Sequence, residues 1–105
     1  MTVIPMRAAK EKKIAAAVKR AERKLKPDVV RIRYNLGFDH AGDPSVFFRI
    51  VLSDDASRLE LLREMRHKVE STLRNGFDED ELGLLTYFNY RSLSEQSEMN
   101  EPAWA

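Results

Sequence analysis

An imidazole and two carboxylates fall close together at one place in this 105-residue chain, the segment Gly37-Phe38-Asp39-His40-Ala41-Gly42-Asp43. Asp39, His40 and Asp43 are residue types that ligate metals or move protons, so they are the first candidates for a metal or general-base site. Metal centres usually draw three or more ligands from fixed elements, whereas Asp beside Gly is also what a turn requires. A solvated hairpin loop is the simpler account. His67 stands between Arg66 and Lys68 with no carboxylate placed to orient it, which is poor ground for acid–base catalysis. Ser53-Asp54-Asp55 offers paired acids, but neighbours at a helix start diverge by about 100° and do not converge on one ion. Capping of a following helix suits them better.

Other catalytic signatures are missing from the sequence. It has no Gly-x-Gly-x-x-Gly, no phosphate-binding loop ending Gly-Lys-Ser or Gly-Lys-Thr, no Gly-x-Ser-x-Gly elbow and no His-Glu-x-x-His. With no cysteine there is neither a thiolate nucleophile nor a disulfide framework. These exclusions leave no catalytic residue, cofactor or small-molecule substrate to name, and the chain reads as non-enzymatic.

The more informative chemistry lies in arginines, amides and rings at alternating positions. Between Val29 and Leu36, Val30, Ile32, Tyr34 and Leu36 take one side and Arg31, Arg33 and Asn35 the other, as in a strand with one buried face. Val46 to Leu52 is β-branched and aromatic enough to return as a second strand after a loop over Gly37 to Ser45. Leu84 to Arg91 alternates as a third strand. The polarity of Asn89 and Arg91 places Tyr87, Asn89 and Arg91 outward.

Helices must position these strands. Between Pro5 and Pro27, Ile14, Val18, Ala21 and Leu25 recur at spacings of four, three and four, one stripe of one helix. A second helix follows the Ser53 to Asp55 cap, with Leu59, Leu62, Met65, Val69 and Leu73 as its stripe and Asn75-Gly76 as its left-handed end. Ser92 and Glu95 have the spacing of a capping box, which predicts a short helix before the tail Pro102-Ala103-Trp104-Ala105.

The order is thus α-β-β-α-β with a C-terminal appendage, a two-layer α+β sandwich in a single domain over residues 1–105. Its core spans about 6–92 and the appendage 93–105. Two helices cover one face of a three-stranded sheet, in which the third strand runs parallel to the second in a 2-1-3 order. The opposite face then displays Arg31, Arg33, Asn35, Phe47, Arg49, Val51, Tyr87, Asn89 and Arg91. Fork donors, amides and flat rings hold phosphates and stack on bases, and they also dominate protein interfaces. Long solvated arginine stems lying over the sheet are the bland alternative. Trp104 is either pinned onto its own domain or held for a partner.

Charge adds a second clue. The chain carries 18 basic and 17 acidic residues, which excludes a wholesale polyanion binder and, with 43% apolar residues, a disordered chain. Yet nine basic residues from Arg7 to Lys26 face only Glu11 and Glu22, while residues 76–105 hold seven acids against Arg91. The basic helix could track a nucleic-acid backbone or meet the acidic part of a second copy. No apolar run nears the roughly 20 residues of a membrane span, so the expected setting is cytoplasmic, without a membrane partner.

At the level of topology, most of residues 6–91 is similar to KH-like domains that begin with a helix. The resemblance implies shared architecture only, because the Gly-x-x-Gly loop with which RNA-binding KH domains clamp the backbone is missing. The leading expectation is therefore a protein-interaction module, a homodimer or a pair with another protein, acting through the Arg and aromatic face. An RNA-binding accessory domain is the alternative, and a metal-dependent enzyme centred on residues 39–43 the distant one.

Overall fold

The computed structural model describes residues 5–105, with side chains from Ala9 onward; the side chain of Arg7, counted in the basic surplus, lies outside the described set. Helix α1 runs Pro5–Lys24, its first residue a type that needs no amide partner at that position. Ile14, Ala17, Val18 and Ala21 form its buried stripe, and Leu25 continues the packing just beyond its end.

Strands β1 (Val29–Phe38) and β2 (Pro44–Leu52) pair antiparallel, with Arg33 opposite Arg49 and Asn35 opposite Phe47. Their connection is tighter than the expected 37–45. Asp39 N–H donates to the Asp43 carbonyl at 3.0 Å and Gly42 N–H to the Asp39 carbonyl at 2.9 Å. Gly42 takes a φ of 86°, a value that favours glycine. Helix α2 (Leu59–Arg74) and the single turn α3 (Glu79–Leu82) lead to β3 (Leu85–Ser92), which runs parallel to β2. Helix α4 (Leu93–Met99) and a 3-10 turn over Pro102–Trp104 complete the chain.

The α+β fold and the parallel β3 are as expected, but the strand order is β1-β2-β3 rather than 2-1-3. The physical reason lies in β2. Val46, Phe48, Ile50, Val51 and Leu52 are all buried, so this strand is apolar toward both layers and belongs in the centre. An alternating strand with arginines on one side suits an edge. On the outer side of β1, Glu22 of α1 accepts the Ile32 N–H at 2.8 Å and so satisfies one edge amide.

One core joins the helices to the inner sheet face: Ile14, Val18, Met65, Val69 and Leu73 pack with Val29, Ile32, Phe48, Ile50 and Leu52. Phe48 stacks on Phe88 with ring centres 5.3 Å apart. Val30 departs from its expected inward place and is 37% exposed, because the register shifts between Val29 and Arg31 and Val29 takes the buried position.

The helix ends also correct the sequence reading. Helix α2 starts at Leu59 behind Arg58, which makes no side-chain cap. Ser53 Oγ instead accepts from Ala56 N–H at 3.1 Å in the turn before it, and Asp54 reaches Ser94, forty positions away. Asn75 ends α2 in right-handed geometry, so Gly76 is not there for a left-handed bend. A Cβ at Gly76 would come within 2.5 Å of Ala17 Cβ, and it is this close approach of α1 that requires glycine. The Ser92 to Glu95 capping box is present in both directions.

Candidate functional site

The strand register sets the expected surface residues in three cross-sheet rows on the face opposite α1 and α2. Arg31, Val51 and Arg91 form the first, Arg33, Arg49 and Asn89 the second, and Asn35, Phe47 and Tyr87 the third. Each row takes one residue from each strand, because residues two apart on a strand share a face.

The chain's own end lies across the first two rows. Three guanidinium groups donate to three successive backbone carbonyls: Arg49 Nε to Ala103, Arg31 Nε to Trp104 and Arg33 Nη2 to Ala105, each at 2.8 Å. Arg91 lies over the Trp104 ring at 4.3 Å and donates to Gln96 Oε1 at 3.1 Å and to the Glu101 carboxylate. Gln96 in turn donates to the Glu101 carbonyl at 3.0 Å, and Asp54 accepts from the Ser94 amide and hydroxyl. Trp104 retains only 8% of its exposure, and Val51 is fully buried.

An open arginine face is thus corrected to a covered one over these two rows. Val51 supplies the reason: an apolar side chain on the outer face of a central strand needs a cover, and it stands in the row between Arg31 and Arg91, the two arginines that hold Trp104. Of the two roles considered for Trp104, the structure shows the pinned one. Sequence reasoning did not link Asp54, Gln96 and Glu101 to this contact; the apolar Val51 among outward polar residues was the usable signal.

The third row is uncovered by the tail. Phe47 and Tyr87 stack with centres 5.3 Å apart and planes at 14°. Leu85 lies one row further on, opposite Ser45, and is 44% exposed. Asn35 accepts a hydrogen bond from Arg49 Nη1, so the rows are tied together.

The loop candidates meet this row from one end. Tyr87 donates its hydroxyl proton to Asp39 Oδ2 at 2.7 Å, while Asp39 Oδ1 accepts the amides of Ala41 and Asp43 at 2.9 Å each. The Tyr87 hydroxyl, followed by these amides, holds the Asp39 carboxyl below its ordinary range, and the same bond raises the Tyr87 hydroxyl. Asp39 therefore fastens a turn and orients a ring. His40, Asp43 and His67 are exposed, and among the described residues no three His, Asp or Glu side chains gather as a metal site would need. The segregated charges partly meet within the chain, since Lys13 of α1 pairs with Glu81 of α3.

No protein-family model matches the chain. No curated relative matches it either. Among solved structures it is similar to one described as the copper form of MamM CTD, at 15% identity and a TM-score of 0.54, covering 81% of this chain and 84% of that one. At that identity the likeness concerns the fold. Among the described residues, no helix is long and apolar enough to cross a membrane.

Proposed function

We propose that this chain is a small non-enzymatic interaction module that associates with a second copy of itself through the uncovered part of the outer sheet face. The observation that carries the reading is the stacked pair Phe47 and Tyr87, with the 44%-exposed Leu85 beside it and Asn89 exposed at its flank. Rigid rings next to a guanidinium and amides have the composition of interface hot spots. Tyr87 is held by Asp39, so little ring freedom remains to be lost on association.

Light scattering over a range of concentration and salt tests this. The wild-type chain should form a dimer that resists salt, and Leu85→Glu, at an exposed position, should weaken it at least tenfold while circular dichroism stays unchanged. A wild-type chain monomeric throughout, or a dimer indifferent to Leu85→Glu, overturns the proposal. RNA binding that falls steeply with salt would instead favour the accessory RNA-binding role, carried by the basic face of α1.

A further inference from the structure

We propose that the two arginine rows form a binding groove for the segment Glu101-Pro102-Ala103-Trp104-Ala105, and that the groove accepts this segment from a second copy of the chain as well as from its own. This goes beyond the association proposed above, sharing with it only the sheet face, and it stands or falls separately.

Five residues hold all the contacts that recognition needs. Glu101 meets Arg91, the carbonyls of Ala103, Trp104 and Ala105 meet Arg49, Arg31 and Arg33, and the indole lies under Arg91, whose row neighbour Val51 is buried. Three of these contacts are to backbone oxygens, which any chain presents. The indole and the carboxylate supply selectivity, and the acid is matched in sign to the groove. Gln96 also holds the Glu101 carbonyl, yet the contacts made by Arg31, Arg33, Arg49 and Arg91 do not depend on which molecule the five residues belong to. The segment leaves α4 at Asn100, which caps that helix in left-handed geometry with a φ of 48°. The chain turns away from α4 at this one residue, which is where the segment would be redirected toward a second copy. The own segment prevails when dilute because its effective concentration is high, and exchange between copies follows when the chain is concentrated or its own segment is weakened.

The chain's single tryptophan makes the test direct. A groove-defective chain, Arg31→Ala with Arg49→Ala, keeps Trp104 but should release it to water, with red-shifted emission. A Trp104→Ala chain has no tryptophan, leaves the indole's place in the groove open, and keeps only the backbone and Glu101 contacts of its own segment for the incoming one to displace. Titrating the second into the first should return the emission most of the way to the wild-type position, saturably and in equal proportion. The synthetic peptide Glu-Pro-Ala-Trp-Ala added to Trp104→Ala should show the same blue shift, and this arm serves if the double arginine variant loses its fold. If Trp104→Ala loses its fold, Trp104→Phe replaces it, with the titration displaced to higher concentration. Emission that stays red-shifted in the mixture and with the peptide, up to millimolar concentration, overturns exchange and leaves a purely intramolecular contact. Adding Leu85→Glu to both chains should leave the titration unchanged, so a failure of the ring-row dimer is read apart from a failure of the groove.

Discussion

The guanidinium of Arg91, on the last strand, lies 4.3 Å from the centre of the Trp104 ring, in the last turn of the chain. This contact converts an outward arginine into a roof support. The same side chain reaches Gln96 and Glu101, so β3, α4 and the 3-10 turn are joined through one planar fork.

Trp104→Ala should therefore cost about 3–5 kcal/mol, the range for removing a buried large aromatic. Arg91→Ala should cost roughly 1–2 kcal/mol from the lost ring contact and side-chain bonds. Arg91→Lys should recover little, since an ammonium cannot reproduce a planar fork over a ring. Urea unfolding measures all three, and a lysine variant as stable as wild type would show that charge alone holds the tail.

Gly76 and Ala17 make a second prediction. A Cβ at Gly76 would lie 2.5 Å from Ala17 Cβ and 3.1 Å from its Cα, and backbone cannot yield as a flexible side chain can. Gly76→Ala should push α1 away and cost roughly 1–3 kcal/mol, although the same change in open space would be neutral or stabilising. Ala17→Gly alone should cost about 1 kcal/mol from helix propensity. The two together should cost less than their sum. A double-mutant cycle with no coupling would mean the helices do not approach as described.

Acid dependence follows from two carboxylates. The Ser94 hydroxyl, then its amide, holds Asp54 below its ordinary range, and Tyr87 does so first for Asp39. A carboxyl with a depressed folded pKa contributes stability that is present above the unfolded value of about 3.9 and is lost as pH falls through the lower folded one. Urea midpoints should thus be level from neutral pH to about 5 and fall below about 4. Asp54→Ala should be less stable at neutral pH and lose part of that slope; an unchanged slope would remove Asp54 from the account. On the alkaline side, burial first and Glu70 second raise the Tyr90 hydroxyl. Its contribution is present below the unfolded value of about 10 and is lost as pH rises through the higher folded one, a loss that Tyr90→Phe should abolish.

What could be read in the sequence was whatever the period of an element fixes. The alternation of Arg31, Arg33 and Asn35 with Ile32 and Tyr34 gave the faces of β1, and the polarity of Asn89 and Arg91 gave the parity of β3, where Tyr87 stacks outward and Phe88 inward. Strand order was less legible: Arg49 interrupts the apolar run of β2, and what marks this strand as central is that Val46, Phe48, Ile50 and Leu52 on one face and Val51 on the other are all buried. Ser53 to Asp55 and Gly76 carry the composition of caps and helix ends, yet their partners, Ser94 and Ala17, lie far away in the sequence. The covering of the arginine rows was illegible for the same reason: it joins residues more than fifty positions apart through backbone carbonyls, which no residue type announces.

The stripe of α2 shows how far periodicity alone carries, and supplies the last prediction. Leu59, Leu62, Met65, Val69 and Leu73 share a helical face, but Leu59 is 86% exposed while Leu73 is fully buried. The helix begins at Leu59, so its first residue stands at the end of the core while the last turn lies against α1 and the sheet. Leu59→Gln should change stability by no more than about 0.5 kcal/mol. Leu73→Ala should cost about 2–5 kcal/mol, since its site is enclosed and closes poorly over a cavity. If Leu59→Gln proved as costly as Leu73→Ala under the same urea titration, the start of α2 would have to lie one turn deeper in the core than described.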